Sequence, residues 1–416
     1  MSAQALVRVG EARDLYYADH ENSLKQSIPV EYNTRFTQNL SNLAQGTSVF
    51  TIPPGNGVRH VVCVIGYSSA ALNAGGAQQG LYAAPRGWGY QAIRQVSFRI
   101  GGSSQYFLTG QQLLQRNMRL SRTKEQRNSI LSLGGQQMSV AADFAQDQFA
   151  YIPISVFCPP SADGIALPVA GDLLSQQIQI TVELAAPSEW WVLNPTPAAL
   201  TGNIPSAFST GYFQVEQLVM PDRSMSLANR ADMDTHSYGL PIHFDQQETV
   251  IPVAAGGAEQ PLTLTGFRAG EVKKISVWLT KNTDALNAGR WYAPKKVQVL
   301  YAGVIYSSYD NGSSQIWNLL DGTAPAAVDT TAFSAAGGGG GALVSTGVLS
   351  QWAELPFSQP TGDDYEATVL VHGKEITNGI VNLQLTPPTA DAYTAHVVYH
   401  YNATASFSRG SCDLIF

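Results

Sequence analysis

Polar and apolar residues alternate with a period of two along much of the chain. Ile178, Ile180, Val182 and Leu184 are separated by Gln179, Thr181 and Glu183, which predicts a strand with one dry and one wet face. The same pattern predicts strands around Val96, Phe98 and Ile100, around Val297, Val299 and Tyr301, and around Val381, Leu383 and Leu385. Turn-forming residues punctuate them: PPGNG at 53–57, IGG at 100–102, NG at 311–312 and TPP at 386–388. Helical periodicity is sparse and predicts one helix over 110–127 and a short turn near 314–320.

The alternation recurs in order. QFAYIPI at 148–154 returns as QWAELPF at 351–357, and ITVELAAP at 180–187 returns as VNLQLTPP at 381–388. VSFRIGG at 96–102 is matched by VQVLYAG at 297–303, Leu113–Leu114 by Leu319–Leu320, and VRHVVCV at 58–64 by VKKISVW at 272–278. The offsets stay between 201 and 214 residues. One such match is weak, but five in the same order point to two copies of one β-unit. The expected layout is an amino-terminal arm at 1–44, a first unit at 45–220, a polar linker at 221–239 and a second unit at 240–416. Each copy holds roughly eight short strands, a helical piece and long surface loops, which fits an eight-stranded jelly roll. An immunoglobulin-like sandwich would need about 100 residues per copy. A propeller would repeat every 40–50 or so. The expected fold class is all-β, two tandem eight-stranded jelly rolls with short helices.

Composition narrows the function. Charged residues make up 13% of the 416, about half the usual 25% or so. The net charge of −7 argues against a chain that acts mainly on nucleic acid, which would carry a basic footprint. Cys63, Cys158 and Cys412 are too few and scattered for a disulfide framework, so buried free thiols are expected. No run of 18 apolar residues is present, and the first residues carry charges where a signal peptide needs an apolar stretch. Synthesis in a reducing, cytosol-like compartment is the expectation.

The sequence carries none of the G-x-S-x-G, H-E-x-x-H, Walker-type or C-x-x-C patterns. The glycine run Gly337 to Gly341 reads as a surface loop, with no strand leading in and no helix leaving. Asp232, Asp234, His236 and His243 are the only clustered ligands for a hard or borderline metal, and turn formation in a linker explains them better. No catalytic, cofactor or metal residue is assigned. His396 and His400 fall on one face of a strand, about 13 Å apart, too far to share an ion. Arg116, Arg119, Arg122, Lys124 and Arg127 form one basic cluster, read as a solvated helix face or a subunit contact in preference to a phosphate site. Trp190–Trp191 would stack on sugars in a lectin or be buried between subunits in an assembly, and the interface is the better fit. Glu183 and Glu366, the conceivable pair for glycoside cleavage, lie on different copies.

The duplicated blocks resemble a known family. GEVKKISVWLTKN, then APKKVQVLYAGVIYSSYDNGSSQIWNLLDG, then VNLQLTPP and AHVVYHYNATASFS look like the double jelly-roll major capsid proteins of icosahedral double-stranded DNA viruses, over roughly 45–416. The resemblance implies upright jelly rolls and pseudo-hexameric homotrimers that tile a virion shell, with raised loops on the outside. It implies neighbouring capsomers, minor capsid and penton proteins as partners, and an amino-terminal arm on the inner side near such proteins or an internal membrane. It implies no enzyme activity, no cofactor, no sequence-specific nucleic acid, and synthesis in a host cytoplasm. The alternatives are a carbohydrate-binding or glycoside-cleaving β-sandwich, and a minor capsid or spike protein.

Overall fold

A computed structural model of the chain describes residues 32–52, 57–73, 82–84, 87–100, 106–119, 124–136, 138, 141–154, 178–193, 205–219, 238–245, 249–264, 270–281, 292–310, 352–357, 374–376, 381–408 and 411–415. The first half contributes β1 (Tyr32–Asn39), β2 (Gly46–Thr51), β3 (Gly57–Tyr67), β4 (Tyr82–Ala83), β5 (Ile93–Ile100), β6 (Tyr106–Thr109), β7 (Gln148–Pro153), β8 (Ile178–Leu184), β9 (Val192–Leu193) and β10 (Thr210–Val219). Its helices are α1 (Ser69–Asn73), α2 (Trp88–Ala92), α3 (Gly110–Arg119), α4 (Lys124–Leu133), α5 (Ala141–Phe144) and α6 (Pro187–Trp190). The second half contributes β11 (Tyr238–Asp245), β12 (Thr249–Val253), β13 (Gln260–Leu264), β14 (Gly270–Lys281), β15 (Lys296–Tyr301) and β16 (Val304–Asp310). It continues with β17 (Ala353–Pro356), β18 (Lys374–Ile376), β19 (Val381–Thr386), β20 (Tyr393–Ser408) and β21 (Ser411–Ile415).

The strand orders make two jelly rolls of like topology. In the first half one antiparallel sheet runs β1-β10-β3-β7 and the other β2-β8-β5-β6. In the second half one sheet runs β11-β20-β14-β17, with β12 and β21 also on β20 and β18 on β14, and the other runs β13-β19-β15-β16. Four of the repeated sequence segments therefore sit on equivalent strands: β3 with β14, β5 with β15, β7 with β17 and β8 with β19. The copies share a fine detail as well. A bulge skips Arg59 in the pairing of β3 with β10, and another skips Lys273, 214 residues later, in the pairing of β14 with β20. An extra residue reverses the side-chain alternation beyond it, which is why Val272 and Ile275 can both face the core while Lys274 faces away.

The dry faces predicted from alternation meet inside each roll. Val182 and Leu383 are fully buried on the central strands β8 and β19. Phe50 of one sheet stacks on Phe213 of the other with ring centroids 5.1 Å apart. Full burial of each such side chain contributes about 1.5–3 kcal/mol. The β15–β16 hairpin turns on Ala302 and Gly303, both at positive φ, the two-residue turn whose twist suits a hairpin.

Two expectations shift. Tyr32–Asn39, expected in the amino-terminal arm, is a full strand, paired with β10 from Tyr32–Val219 to Asn39–Tyr212. The helix expected over 110–127 is instead found as α3 and α4, the latter reaching Leu133. The predicted turn at 314–320 lies outside the described residues.

Candidate functional site

Helix α3 is set by its own sequence. Thr109 and Gln112 form a reciprocal capping box: the Thr109 amide donates to Gln112 Oε1 at 2.8 Å, and the Gln112 amide donates to Thr109 Oγ1 at 3.2 Å. Gly110 opens the helix where a Cβ would overlap the carbonyl oxygens of Tyr90 and Ile93, so only glycine lets α3 approach α2 this closely. Leu113 and Leu114 are buried, and so are Gln112, Gln115, Arg116 and Asn117. A helix whose polar side is also buried is covered on both sides. Asn117 Nδ2 donates to Tyr90 Oη at 3.1 Å and to the Pro153 carbonyl at 2.8 Å within the first roll. On the other side Gln111 Oε1 accepts from Trp278 Nε1 of the second roll at 3.4 Å.

Trp278 belongs to a covered polar face. The side of the β20-β14-β17 sheet that points away from its own core carries Lys274, Ser276, Trp278, Glu354, His396 and His400. Lys274 Nζ lies 3.3 Å from Glu354 Oε2, and Trp352 Nε1 donates to Glu354 Oε1 at 3.2 Å. Ser276 Oγ and His400 Nε2 are 2.7 Å apart, as are Thr280 Oγ1 and His396 Nε2, and the His396 ring stacks on Trp278 at 5.5 Å. The Lys274–Glu354 and Ser276–His400 pairs thus satisfy one another where water is excluded, and the Thr280–His396 pair does so at the half-buried margin of the face. Ser276 and His400 have the spacing of a nucleophile and its base. Both are buried, so no substrate reaches them, and the pair reads as structural.

His396 and His400 do share a face, as alternation required. Trp190 and Trp191 line neither a sugar platform nor a subunit interface. Both are buried in the first roll's own core with Tyr67, Trp88, Phe144 and Phe208, and the Trp88–Trp190 rings stack at 5.4 Å. The period of the sequence could not show this, because α6 turns the pair inward just after β8 ends. Burial raises the phenol pKa of Tyr67, and of Tyr90 and Tyr399, so these hydroxyls stay neutral. Arg116 corrects the solvated-face reading of the basic cluster, since it is buried on α3. Only the helical backbone of Arg119, Lys124 and Arg127 is described, and Arg122 lies outside the described residues.

Glu183 is held by Arg94, whose guanidinium reaches Glu183 Oε1 at 2.9 Å and Glu189 Oε1 at 2.6 Å; these carboxylates raise the Arg94 pKa further. Asp232, Asp234, His236, Cys158 and Glu366 lie outside the described residues, and of His243 and Cys412 only the strand backbone is described. Among the described residues no group of three or more His, Cys, Asp or Glu is arranged to hold a metal ion. No described helix is long and apolar enough to cross a membrane. The capping box was legible as T-x-x-Q at 109–112. The covered polar face was not, because its Lys274–Glu354 and Ser276–His400 partners are 80 and 124 residues apart in the chain.

No family model and no curated protein matches the sequence. The fold, however, is similar to solved capsid structures. The PBCV-1 virus capsid protein superposes with a TM-score of 0.64 at 11% identity, over 95% of this chain and 100% of that one. The Sputnik virophage structure gives 0.55 at 10% identity over 99% and 93%. The mavirus major capsid protein gives 0.52 at 8% identity over 99% and 95%. Two jelly rolls of one topology, spanning nearly the whole length of each of these proteins, give this chain the double jelly-roll fold of icosahedral-virus major capsid proteins.

Proposed function

We propose that this chain is a structural major capsid protein whose homotrimers form pseudo-hexameric blocks of an icosahedral virion shell. The observation that carries the reading is the repetition of one strand order in both halves, in a fold similar over 95% or more of the chain to solved viral capsid proteins. Two like barrels per chain and three chains per block supply six similar units, the number that a hexagonal tile needs. A charged fraction of only 13% suits broad, hydrogen-bonded contacts between copies.

On this reading the first roll runs from its edge strand at Tyr32, not from 45 as the sequence suggested, to about 220, and the second occupies about 240–416, with a linker at 221–239. The residues before Tyr32 form the arm that meets minor capsid proteins, penton proteins or an internal membrane. The protein is made in the host cytoplasm, resides in the virion, and carries no enzymatic activity. The buried Ser276–His400 pair supports that last point. The burial of Trp190 and Trp191 removes the feature that favoured a carbohydrate-binding protein.

Negative-stain imaging with a solution mass tests the reading. Three chains of 44.6 kDa sum to about 134 kDa, and the expected end-on view is six-lobed and near-hexagonal. A two-lobed particle of single-chain mass at every concentration would overturn it.

A further inference from the structure

The β5–β6 and β15–β16 hairpins are counterparts in the two rolls, and their tips differ in chemistry. Phe98 pairs with Tyr106 in the first and Val299 with Ser307 in the second, a constant shift of 201 residues. That shift sets Arg99 against Leu300, and Ser103, Ser104 and Gln105 against Val304, Ile305 and Tyr306. A polar sequence therefore serves the same fold, so the fold alone does not call for an apolar tip in the second copy. From Val297 to Tyr309 this hairpin carries no charged residue.

The second tip stands clear of the sandwich. Ala302, Gly303, Val304, Ile305 and Tyr306 are all exposed, with Val304 at 59%, Ile305 at 53% and Tyr306 at 42%. A strand covered on one side would bury every second residue. A Cβ at Gly303 would meet nothing within 4 Å. Val304 lies opposite Tyr301 and Ile305 opposite Leu300, so both sides of the ribbon are apolar. The Tyr301 and Tyr306 rings meet edge to face at 5.8 Å, and Tyr306 lies 6.1 Å from Phe357, just beyond β17.

We infer that the β15–β16 tip is a lipid-contacting loop that dips Val304 and Ile305 into the surface of a zwitterionic bilayer. A flat protein partner would dry one side of the ribbon, whereas a bilayer surface dries both at once. Tyr301 and Tyr306 suit the depth just above, where an apolar ring meets acyl chains and a hydroxyl meets headgroups. The hairpin pairs its own inner backbone groups, from Lys296–Asp310 to Tyr301–Val304. The outer edge of β16 has no neighbour in the described sheet. Unpaired backbone groups are excluded from hydrocarbon, so insertion stops at the tip. A net charge of −7 disfavours an anionic surface, which attracts basic segments instead. The inference stands on the hairpin itself and does not rest on the capsid reading, which survives its failure.

The test is flotation of the full chain with phosphatidylcholine vesicles in large excess. The double variant Val304→Ser/Ile305→Ser is compared with Val49→Ser/Val250→Ser, exposed apolar residues on β2 and β12. Circular dichroism with a melting curve reads the fold, and sedimentation velocity reads the mass. The wild type and the β2/β12 variant should float, and the lipid-bound fraction of the tip variant should fall at least about tenfold. A wild type that does not float, or a tip variant that floats equally well, overturns the inference. A tip variant that loses its wild-type mass along with flotation marks a contact between copies and overturns it too. Should the tip variant fail to fold, hydroxyl-radical footprinting of the wild type decides. At least about fivefold protection of Ile305 and Tyr306 on adding vesicles supports the lipid contact, and equal oxidation with and without vesicles overturns it.

Discussion

Cys63 sits on β3 with its side chain in the first roll's core, and burial pushes its thiol up to about 12 from an ordinary value of 9.0. Only the thiolate reacts, so the folded protein should leave Cys63 unmodified by iodoacetamide at pH 8, and denaturant should expose it. Peptide mapping by mass spectrometry checks this at the single site. Because the fold favours the protonated thiol, the Cys63 contribution to stability is whole below pH 9 and is lost as pH rises toward 12. Val182 lies between Ser48 and Val96, and Leu383 between Leu262 and Val299, each on a central strand. A Val182→Asp or Leu383→Asp change buries an unpaired carboxylate at a cost above about 4 kcal/mol. That is a large part of the 5–15 kcal/mol or so that holds a domain together. Both variants should be insoluble on expression, and a soluble, folded product of either would reverse the assignment of these faces.

At the scale of elements, what distinguishes this molecule is polar groups held dry between strands and a helix. The Lys274–Glu354 pair bridges β14 and β17 at 3.3 Å, with both side chains at most 10% exposed. Such a pair is costly to break and easy to replace as a whole, since each charge is desolvated in the fold. Lys274→Met should lower stability by about 3 kcal/mol, and Lys274→Met combined with Glu354→Leu should regain most of the loss. Denaturant midpoints of the two variants check the prediction, and equal losses in both would show that the pair itself is not what the face depends on. Helix α3 is the counterpart on the other side. Its capping box is spelled locally as T-x-x-Q at 109–112, whereas its close seat on Gly110 depends on the distant carbonyls of Tyr90 and Ile93. The burial of its arginine was not legible, because a basic residue on a helix is ordinarily at the solvent face.

For the whole molecule, the buried residues of both rolls form one connected apolar cluster, with α3 touching both through Asn117 and Gln111. The rolls share one fold plan but are not independent bodies in the core. Calorimetry of the chain should therefore show one cooperative transition, not two resolved ones. Two separate transitions would mean that each roll unfolds alone and that the contact at Gln111 carries little coupling.

The strands and their duplication are written in the local pattern of the chain. Alternation is a property of an extended backbone, so residues such as Ile180 and Val297 declare their faces without a partner. Arg59 and Lys273 occupy the same place in VRH and VKK, but only the strand register shows that each is bulged. The first strand at 32–39 escaped because YNTRFTQN is mostly polar and lies at a sheet edge, where both faces meet water. What lies over each face came from tertiary packing alone: Trp190 and Trp191 turn inward, Arg116 is dry, and the polar face of the second roll is covered. The physical reason is distance along the chain. Gln111 and Trp278 are 167 residues apart, and burial is a property of whatever packs on top, which no local pattern records.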